Sequence, residues 1–271
     1  MSESSVDFVA IKQRQQQTWA SGDFAVVATP VVIVSELLCE AVDLRAGSVV
    51  LDVACGSGPT TIAAARRFCD ATGIDYVPAL LERGRQRAVA EGVPIDFREG
   101  DAETLPFPDA SFDVVLSTFG VMFAPDQARA AGELLRVCRP GGTIGLANWT
   151  PEGAVGEIFA ITAQHMPPPP GLMPPSRWGT EDGLHTLLGE GVSELHVERR
   201  QFVSRYRSPE HWLEVLRHYF GPVLRAFATL DAAGQEAYAA DLLGMLNRHN
   251  RADDGTLVLP AEYLEVVATR S

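Results

Sequence analysis

The sequence has little positive charge: Lys12 is the only lysine among 271 residues. Lysine and arginine together number 22 against 35 aspartates and glutamates, so the formal net charge is −13. A surface of this sign repels polyanions at long range, which argues against DNA or RNA as a partner. The best candidate for a local basic patch is residues 198–207, which we interpret as a strand with a solvated, arginine-bearing face.

Cysteine and histidine lack the spacings that disulfide frameworks and metal sites require. The four cysteines form no CxxC pair, and the six histidines form no HxxxH pair. This argues against a zinc site, and we predict no bound metal. We expect the cysteines to be reduced thiols that pack as small apolar groups.

Long apolar runs are also missing. The sequence has no uninterrupted run of about 18 apolar residues, so we expect no membrane span. The first residues, 1–19, lack the basic start and apolar core of a signal peptide. From these two absences we expect a cytoplasmic protein.

Strand and helix patterns alternate between residues 48 and 150. Short β-branched or apolar runs predict five strands, at 48–54, 70–77, 93–100, 111–119 and 143–149. Helical patterns separate them at 60–68, 78–92 and within 125–142, where Pro140-Gly141-Gly142 follows the helix end. Such alternation is typical of an α/β fold, with a parallel sheet covered by helices on both faces.

After residue 150 the alternation fails. Two further strands are predicted at 192–208 and 255–270, which makes a mostly parallel seven-stranded sheet. The predicted units are a helical arm (1–45), a core (46–150), a lid insertion (151–179), a core helix and strand (180–208), a helical cap insertion (209–250) and a final core strand (251–271). Ligands bind at the carboxyl ends of parallel strands, so we expect the arm and the two insertions to form a largely helical cap there.

The cap segments carry large apolar side chains that a solvated loop does not need. They are Trp19, Phe24, Phe159, Met166, Met173, Trp178, Trp212, Tyr219 and Phe220. We expect them, Trp178 and Trp212 above all, to hold a small apolar or aromatic molecule. The alternative is that they form helix cores or the interface of a homodimer.

The segment VLDVACGSGPTT, residues 50–61, joins an apolar strand to a glycine-rich turn. It has no lysine, so it is not a phosphate loop of the GxxxxGK[ST] type. It also differs from the dinucleotide pattern GxGxxG, because Thr61 stands where glycine or alanine is needed. Asp52 lies where a pyrophosphate would bind, and the two negative charges would repel. A ligand with a cationic amine and no phosphate fits better.

Four motifs in order resemble those of class I S-adenosylmethionine-dependent methyltransferases. They are VLDVACGSG (50–58), GIDYVP (73–78), EGDAETLPFPDASFDVV (99–115) and ELLRVCRPGGTIGLANW (133–149). The chain is most similar to the small-molecule branch around the ubiquinone and menaquinone biosynthesis enzymes. The resemblance implies a Rossmann-like, doubly wound sheet and S-adenosylmethionine as the cofactor.

The resemblance also implies a set of cofactor-binding residues. These are Asp52, Ala54, Gly56, Gly58, Asp75, Tyr76, Asp101, Ala102, Glu103, Ser117, Thr118 and Phe119. Asp52 is expected to face the ammonium group, Asp75 to accept both ribose hydroxyls and Asp101 to accept the adenine amine. Glu99 and Glu103 are the alternatives to Asp101 in the adenine loop.

The sequence predicts methyl transfer to a small-molecule acceptor, and leaves open whether the methylated atom is oxygen, nitrogen or carbon. The [DN]PPY loop of amino-methylating DNA enzymes and the Pro-Cys nucleophile of base methylation are both missing. Weak candidates for a general base are His165, Tyr206, His211 and His218. Two alternative functions remain: a cofactor-binding protein without transfer activity, and an NAD-dependent oxidoreductase.

Overall fold

A computed structural model describes residues 6–271, so the first five residues of the predicted arm lie outside the described part. Seven strands form one sheet: β1 (Val49–Val53), β2 (Asp70–Asp75), β3 (Asp96–Glu99), β4 (Phe112–Thr118), β5 (Cys138–Trp149), β6 (Val192–Tyr206) and β7 (Leu257–Arg270). Their order is β3-β2-β1-β4-β5-β7-β6. β7 runs antiparallel to both of its neighbours, whereas β1 to β5 pair in parallel. The predicted mostly parallel seven-stranded sheet is confirmed.

The strand order reverses between β1 and β4. From β1 the chain builds outward through β2 and β3, and it then returns to place β4 on the other side of β1. A crevice at such a switch point, beyond the carboxyl ends of the strands, is where open α/β sheets bind ligands. The topology therefore directs attention to the turns after β1, β2 and β4.

The described chain also contains eleven α-helices. They are α1 (Phe8–Trp19), α2 (Phe24–Ala28), α3 (Val32–Ala41), α4 (Pro59–Arg66), α5 (Pro78–Glu91), α6 (Gln127–Val137), α7 (Ala154–His165), α8 (Glu181–Leu188), α9 (Pro209–Tyr219), α10 (Gly221–Thr229) and α11 (Ala232–His249). Proline is the first residue of α4 and α5, where its fixed φ suits a helix start and the missing N–H has no intrahelical role.

Helices cover both faces of the sheet and give it two apolar layers. On one face α3 and α4 pack against β1, β2 and β4, with Leu38 and Ala64 fully buried. On the other face α6 and α8 pack against the central strands, with Leu134 and Leu184 fully buried. A separate core joins α7, α9, α10 and α11 to the start of β7 and contains Trp212 and Tyr238.

β5 begins earlier than the sequence predicts, at Cys138 and not at Thr143. Cys138 pairs with Phe112, and the register then shifts before Val114 pairs with Thr143. Gly141, at φ +73°, lies within this irregular stretch. The Pro-Gly-Gly sequence predicts a turn, but in the structure it forms an irregular stretch within β5.

One stretch of the described residues, Phe24–Ala41, is long and apolar enough to cross a membrane by length and composition, with a mean hydropathy of 1.9. It is not an uninterrupted apolar run, because Thr29 and Glu36 lie within it, and the expected absence of a membrane span stays a prediction. The stretch comprises α2, a 3-10 turn and α3, and it includes Pro30 and the polar Ser35. Of the stretch 28% is buried, including the α3 residues Leu38 and Cys39 in the core that α3 and α4 form with the sheet, whereas Val26, Ile33 and Leu37 are exposed.

The four cysteines are free and buried in the described chain, as expected. Desolvation raises the pKa of the Cys39 thiol to about 12 and that of the Cys138 thiol to about 11. Thiols with such values stay protonated near neutral pH and are poor nucleophiles.

Candidate active site

A cavity lies above the carboxyl ends of β1, β2 and β4 and continues beneath the cap helices. Most of the predicted cofactor residues line it: Asp52, Ala54, Gly56, Asp75, Tyr76, Asp101, Ala102, Thr118 and Phe119. The motifs, which are separated along the chain, therefore meet in one place. Gly58, Glu103 and Ser117 lie outside the lining and have other contacts.

The turn after β1 is held in a tight left-handed conformation. Ala54 and Gly56 have φ values of +54° and +57°. The turn after β4 packs directly on it, because a Cβ on Gly120 would lie 2.4 Å from the Ala54 carbonyl oxygen. Positive φ at a residue with a side chain is strained, and such strain concentrates at functional sites.

Gly58 has a packing role. It is the N-cap residue before α4, at φ +74°, and a Cβ there would lie 2.6 Å from the Phe97 ring. Ser117 is also structural, since its buried hydroxyl donates to the Val53 carbonyl and accepts from the Val121 N–H. These contacts tie β4 to β1 below the cavity.

Asp52 is almost completely buried at the base of the cavity, and the Thr61 hydroxyl donates to its Oδ2 at 2.6 Å. Desolvation raises the pKa of this carboxyl to about 7, although the hydrogen bonds from Thr61 oppose the shift. The threonine that breaks the dinucleotide pattern thus has a partner in the same motif. A carboxylate with this pKa gains from a nearby cation, which favours its charged form.

Asp75, at the end of β2, connects two of the turns. Its Oδ2 accepts the Gly56 N–H and its Oδ1 accepts the Val77 N–H, both at 2.9 Å. Burial raises the pKa of the carboxyl to about 6, and the backbone donors lower it in part. Each oxygen keeps a lone pair for a further donor in the cavity.

The adenine-loop residue Asp101 has an unpredicted partner. Its Oδ2 accepts from Lys12 Nζ at 2.6 Å, and its Oδ1 accepts the Glu103 N–H at 2.9 Å. Glu103 is itself buried and pairs with Lys12 Nζ at 2.8 Å. Its other oxygen accepts the Asp126 N–H just before α6. Glu103 therefore joins three segments beside the cavity and does not line it.

Aromatic rings form the wall beyond the strand ends. Phe119, which has a φ of +60°, stacks on Trp149 with ring centroids 3.7 Å apart. Tyr263 of β7, which is buried outside the cavity lining, meets the Phe119 ring edge-on at 5.7 Å. The left-handed backbone after β4 thus turns a large ring toward the end of β5.

The cap contributes a second group of rings, which we call the aromatic cluster: Trp19, Phe24, Phe123 and Phe220. Trp19 is central, with its ring 5.0 to 5.6 Å from those of the other three. All four line the cavity, as do Phe159 and Trp212. The cavity therefore has a polar end at the strand motifs and an aromatic end under the cap.

Several large cap residues lie elsewhere. Trp178 is fully buried in the main core and does not line the cavity, so the expected contact between Trp178 and a ligand is wrong. Met173 and Tyr219 are 48% and 40% exposed. Met166 packs against the core of α7 and α9–α11.

Of the four candidates for a general base, only Tyr206 lines the cavity. His165 binds Asp241 between α7 and α11 at 2.7 Å, and His218 contacts the carbonyl of Glu214 in its own helix. The His211 ring lies 5.8 Å from the Tyr206 ring but outside the lining. Desolvation raises the pKa of Tyr206, so its hydroxyl stays protonated and can donate a hydrogen bond.

The motifs do not identify the contribution of α1 to the site. Lys12, Gln15 and Trp19 of this helix line the cavity at helical spacing. The single lysine of the chain was the available signal, but its partner Asp101 lies 89 positions away. Local sequence patterns do not reveal a pair so far apart along the chain.

Comparison with known proteins agrees with this architecture. Residues 51–146 match the family model described as a methyltransferase domain. An uncharacterized protein of Mycobacterium tuberculosis is 39% identical over 218 residues, which cover 79% of this chain and 80% of that protein. The demethylmenaquinone methyltransferase of Deinococcus radiodurans is 38% identical over 147 residues, which cover 53% of this chain and 59% of that enzyme.

A solved structure shows the same fold. The YcgJ protein of Bacillus subtilis superposes with a TM-score of 0.58 at 18% identity, covering 87% of this chain and 97% of that protein. The motif order, the strand order and the sequence matches agree with one another. The chain belongs to the class I S-adenosylmethionine-dependent methyltransferases.

Proposed function

We propose that this methyltransferase transfers the methyl group to a small, largely apolar or aromatic acceptor held under the cap. One observation carries the proposal: a single cavity joins the carboxylates at the strand ends to the aromatic cluster. Cofactor and acceptor can therefore lie next to each other without leaving a shared, mostly apolar enclosure.

The charges on the cavity wall fit S-adenosylmethionine. In the described chain the acidic and basic side chains on the wall near the strand ends are Asp52, Asp75 and Asp101, with Lys12 paired to the last. Such a wall attracts a cationic ligand and repels a pyrophosphate. This supports S-adenosylmethionine and opposes the alternative of an NAD-dependent oxidoreductase.

The contacts support a proposed role for each motif residue. Asp75 is proposed to accept the ribose hydroxyls through the lone pairs that its backbone donors leave unused. Asp52 is proposed to face the ammonium group, and Gly56 to allow close approach of the backbone. Tyr76 and Ala102 are proposed to contact the adenine. Asp101 is proposed to accept the adenine amine while it remains paired with Lys12.

When bound, S-adenosylmethionine supplies an electrophilic methyl group on a sulfonium. The protein's part is to align the acceptor and to exclude water, which the rings of the aromatic cluster and the Phe119–Trp149 stack can do. The protonated Tyr206 hydroxyl is suited to orient an oxygen or nitrogen of the acceptor. With its raised pKa it is a poor base at neutral pH.

The test has two stages. Calorimetry should show binding of S-adenosylmethionine and of its demethylated product, and no comparable binding of NAD. Incubation with methyl-labelled cofactor and a solvent extract of the source cells should then move label into a small organic-soluble product. If NAD binds more tightly than S-adenosylmethionine, the proposed cofactor is wrong. Cofactor binding without any transfer would favour a binding protein that has lost its activity.

A further inference from the structure

Helix α1 forms one side of the cavity along much of its length. Lys12, Gln15 and Trp19 face the cavity from one side of the helix. Lys12 lies at the adenine loop, and Trp19 lies in the aromatic cluster. Seven residues of α-helix span about 10 Å, so α1 extends from the adenosine end toward the acceptor end.

Two side chains fasten α1 to the cofactor motifs. The Lys12 ammonium bridges Asp101 and Glu103, with distances of 2.6 and 2.8 Å. One turn later the Gln16 carboxamide donates to the backbone carbonyl of Tyr76. The helix is thereby joined to the ends of both motif loops that surround the expected adenosine position.

Gln15 lies between these two anchors. Its Oε1 is buried and has no hydrogen-bond partner among residues 6–271. The side chain lines the cavity, so a donor on a bound ligand could satisfy this oxygen. A buried acceptor without a partner costs free energy, which a ligand N–H or O–H would recover.

We propose that Lys12 is a positioning residue for the cofactor: its bridge to Asp101 and Glu103 holds α1 in place, and α1 presents Gln15 to the adenosine half. The inference rests on the proposed function. It assigns a role to the N-terminal helix in cofactor retention, since the cofactor and its product share the adenosine that α1 covers.

The bridge is suited to this role because it is only partly exposed. The side chain of Lys12 is 24% exposed and that of Glu103 is 3% exposed. Asp101 and Glu103 would repel each other without the ammonium between them. Removal of the ammonium should therefore release α1 and leave two like charges beside the adenine loop.

The experiment measures cofactor binding and release in the full chain. Lys12→Met should weaken binding of S-adenosylmethionine and of its demethylated product equally, by about tenfold, mainly through faster dissociation. Lys12→Arg keeps the charge and should restore most of the affinity. Gln15→Leu, which leaves the bridge intact, should weaken both ligands by a smaller factor.

Arg14→Met is the matched control. It removes one positive charge from the same helix, but the exposed Arg14 side chain donates its hydrogen bond within residues 6–271 to the Ala10 carbonyl of its own helix. This variant should bind both ligands as the parent does. Thermal unfolding without ligand is measured in parallel, because a merely structural role of Lys12 would lower stability and leave the dissociation rates unchanged.

Three results would overturn the inference. Lys12→Met could match Arg14→Met in affinity and dissociation rate for both ligands. Lys12→Met could strengthen binding of the cationic cofactor while weakening that of the product. This result would indicate that Lys12 acts through its electrostatic field and does not position α1. Lys12→Arg could fail to restore binding. If the parent protein binds neither ligand, the proposed function itself has failed, and the inference fails with it.

Discussion

At the residue scale, Asp75 has two roles. Its carboxylate holds two turns by accepting the Gly56 and Val77 N–H groups, and it lines the cavity. We predict that Asp75→Ala weakens binding of S-adenosylmethionine by about 2–4 kcal/mol, because charge-assisted hydrogen bonds are lost. Asp75→Glu should be partly tolerated. Calorimetry gives the affinities, and circular dichroism controls for folding. An unchanged affinity in folded Asp75→Ala would show that the ribose contact is assigned to the wrong residue.

Asp52 predicts a pH dependence. Its pKa in the folded protein is about 7, raised from 3.8 by burial. The folded state therefore binds the proton more tightly than the unfolded chain, and this carboxyl makes the protein less stable as the pH rises from 3.8 through about 7. Asp52→Asn should remove that contribution. Denaturation of both proteins across this range measures it.

The same carboxyl should make cofactor binding pH-dependent. An ammonium group prefers ionised Asp52, so affinity for S-adenosylmethionine should rise as the pH increases through about 7. In Asp52→Asn this rise should be smaller. Equal pH profiles in parent and variant would show that Asp52 does not interact with the ammonium group of the cofactor.

At the element scale, the start of α4 depends on Gly58. Gly58→Ala would force a Cβ to within 2.6 Å of the Phe97 ring at φ +74°, so it should combine backbone strain with overpacking. Gly92→Ala is the control, because Gly92 has a similar φ of +69° and open space around it. We expect about 1–2 kcal/mol of destabilisation for the control and about 1–3 kcal/mol more for Gly58→Ala. Urea denaturation compares them, and equal losses would contradict the packing role.

The junction of α9 and α10 offers a test of the cap. Phe220 lines the cavity and contacts Trp19 and Phe24, whereas its neighbour Tyr219 is 40% exposed and does not line it. Phe220→Ala should leave cofactor affinity nearly unchanged and should raise the acceptor KM more than it lowers kcat. Tyr219→Ala should change neither. If the Phe220→Ala enzyme has the kinetics of the parent, the aromatic cluster does not contribute to acceptor binding.

Most of the strands and helices could be predicted from the sequence. The strands of the core were identifiable because buried parallel strands are short, β-branched and bounded by turn residues, as in residues 48–54. The start of β5 was not, because pairing with β4 overrides the turn preference of Pro140-Gly141-Gly142. Trp178 and Trp212 look alike in sequence, yet only Trp212 lines the cavity, since the direction of each ring depends on tertiary packing.

The motif residues were predictable for a different reason. Asp52, Gly56 and Asp75 lie at strand ends, where a local pattern and the fold together specify a position. Lys12 and Gln15 belong to a helix whose local sequence contains no such constraint. Their place in the site depends on contacts across the whole chain, including the bridge from Lys12 to Asp101.

At the scale of the whole molecule, the rings of the cap face an internal cavity and pack on one another. This arrangement supports a binding role over the alternative that these rings form a homodimer interface. Phe220→Ala should accordingly leave the molar mass in solution unchanged. Light scattering of the parent and the variant tests this, and a change in assembly would favour the interface.

Ligand binding should also stabilise the molecule as a unit, because one cavity contacts the strand ends, α1 and the cap together. At a concentration one hundred times the dissociation constant, a ligand that binds only the folded state adds about 2.7 kcal/mol to the free energy of unfolding. For a chain of this size that is a rise of about 5 °C in Tm. S-adenosylmethionine should produce the rise in calorimetric scans, and NAD at the same concentration should not. Asp75→Ala should need more cofactor for the same shift. An equal shift with NAD would mean that the acidic wall does not select the ligand, and the charge argument for a phosphate-free cofactor would be wrong.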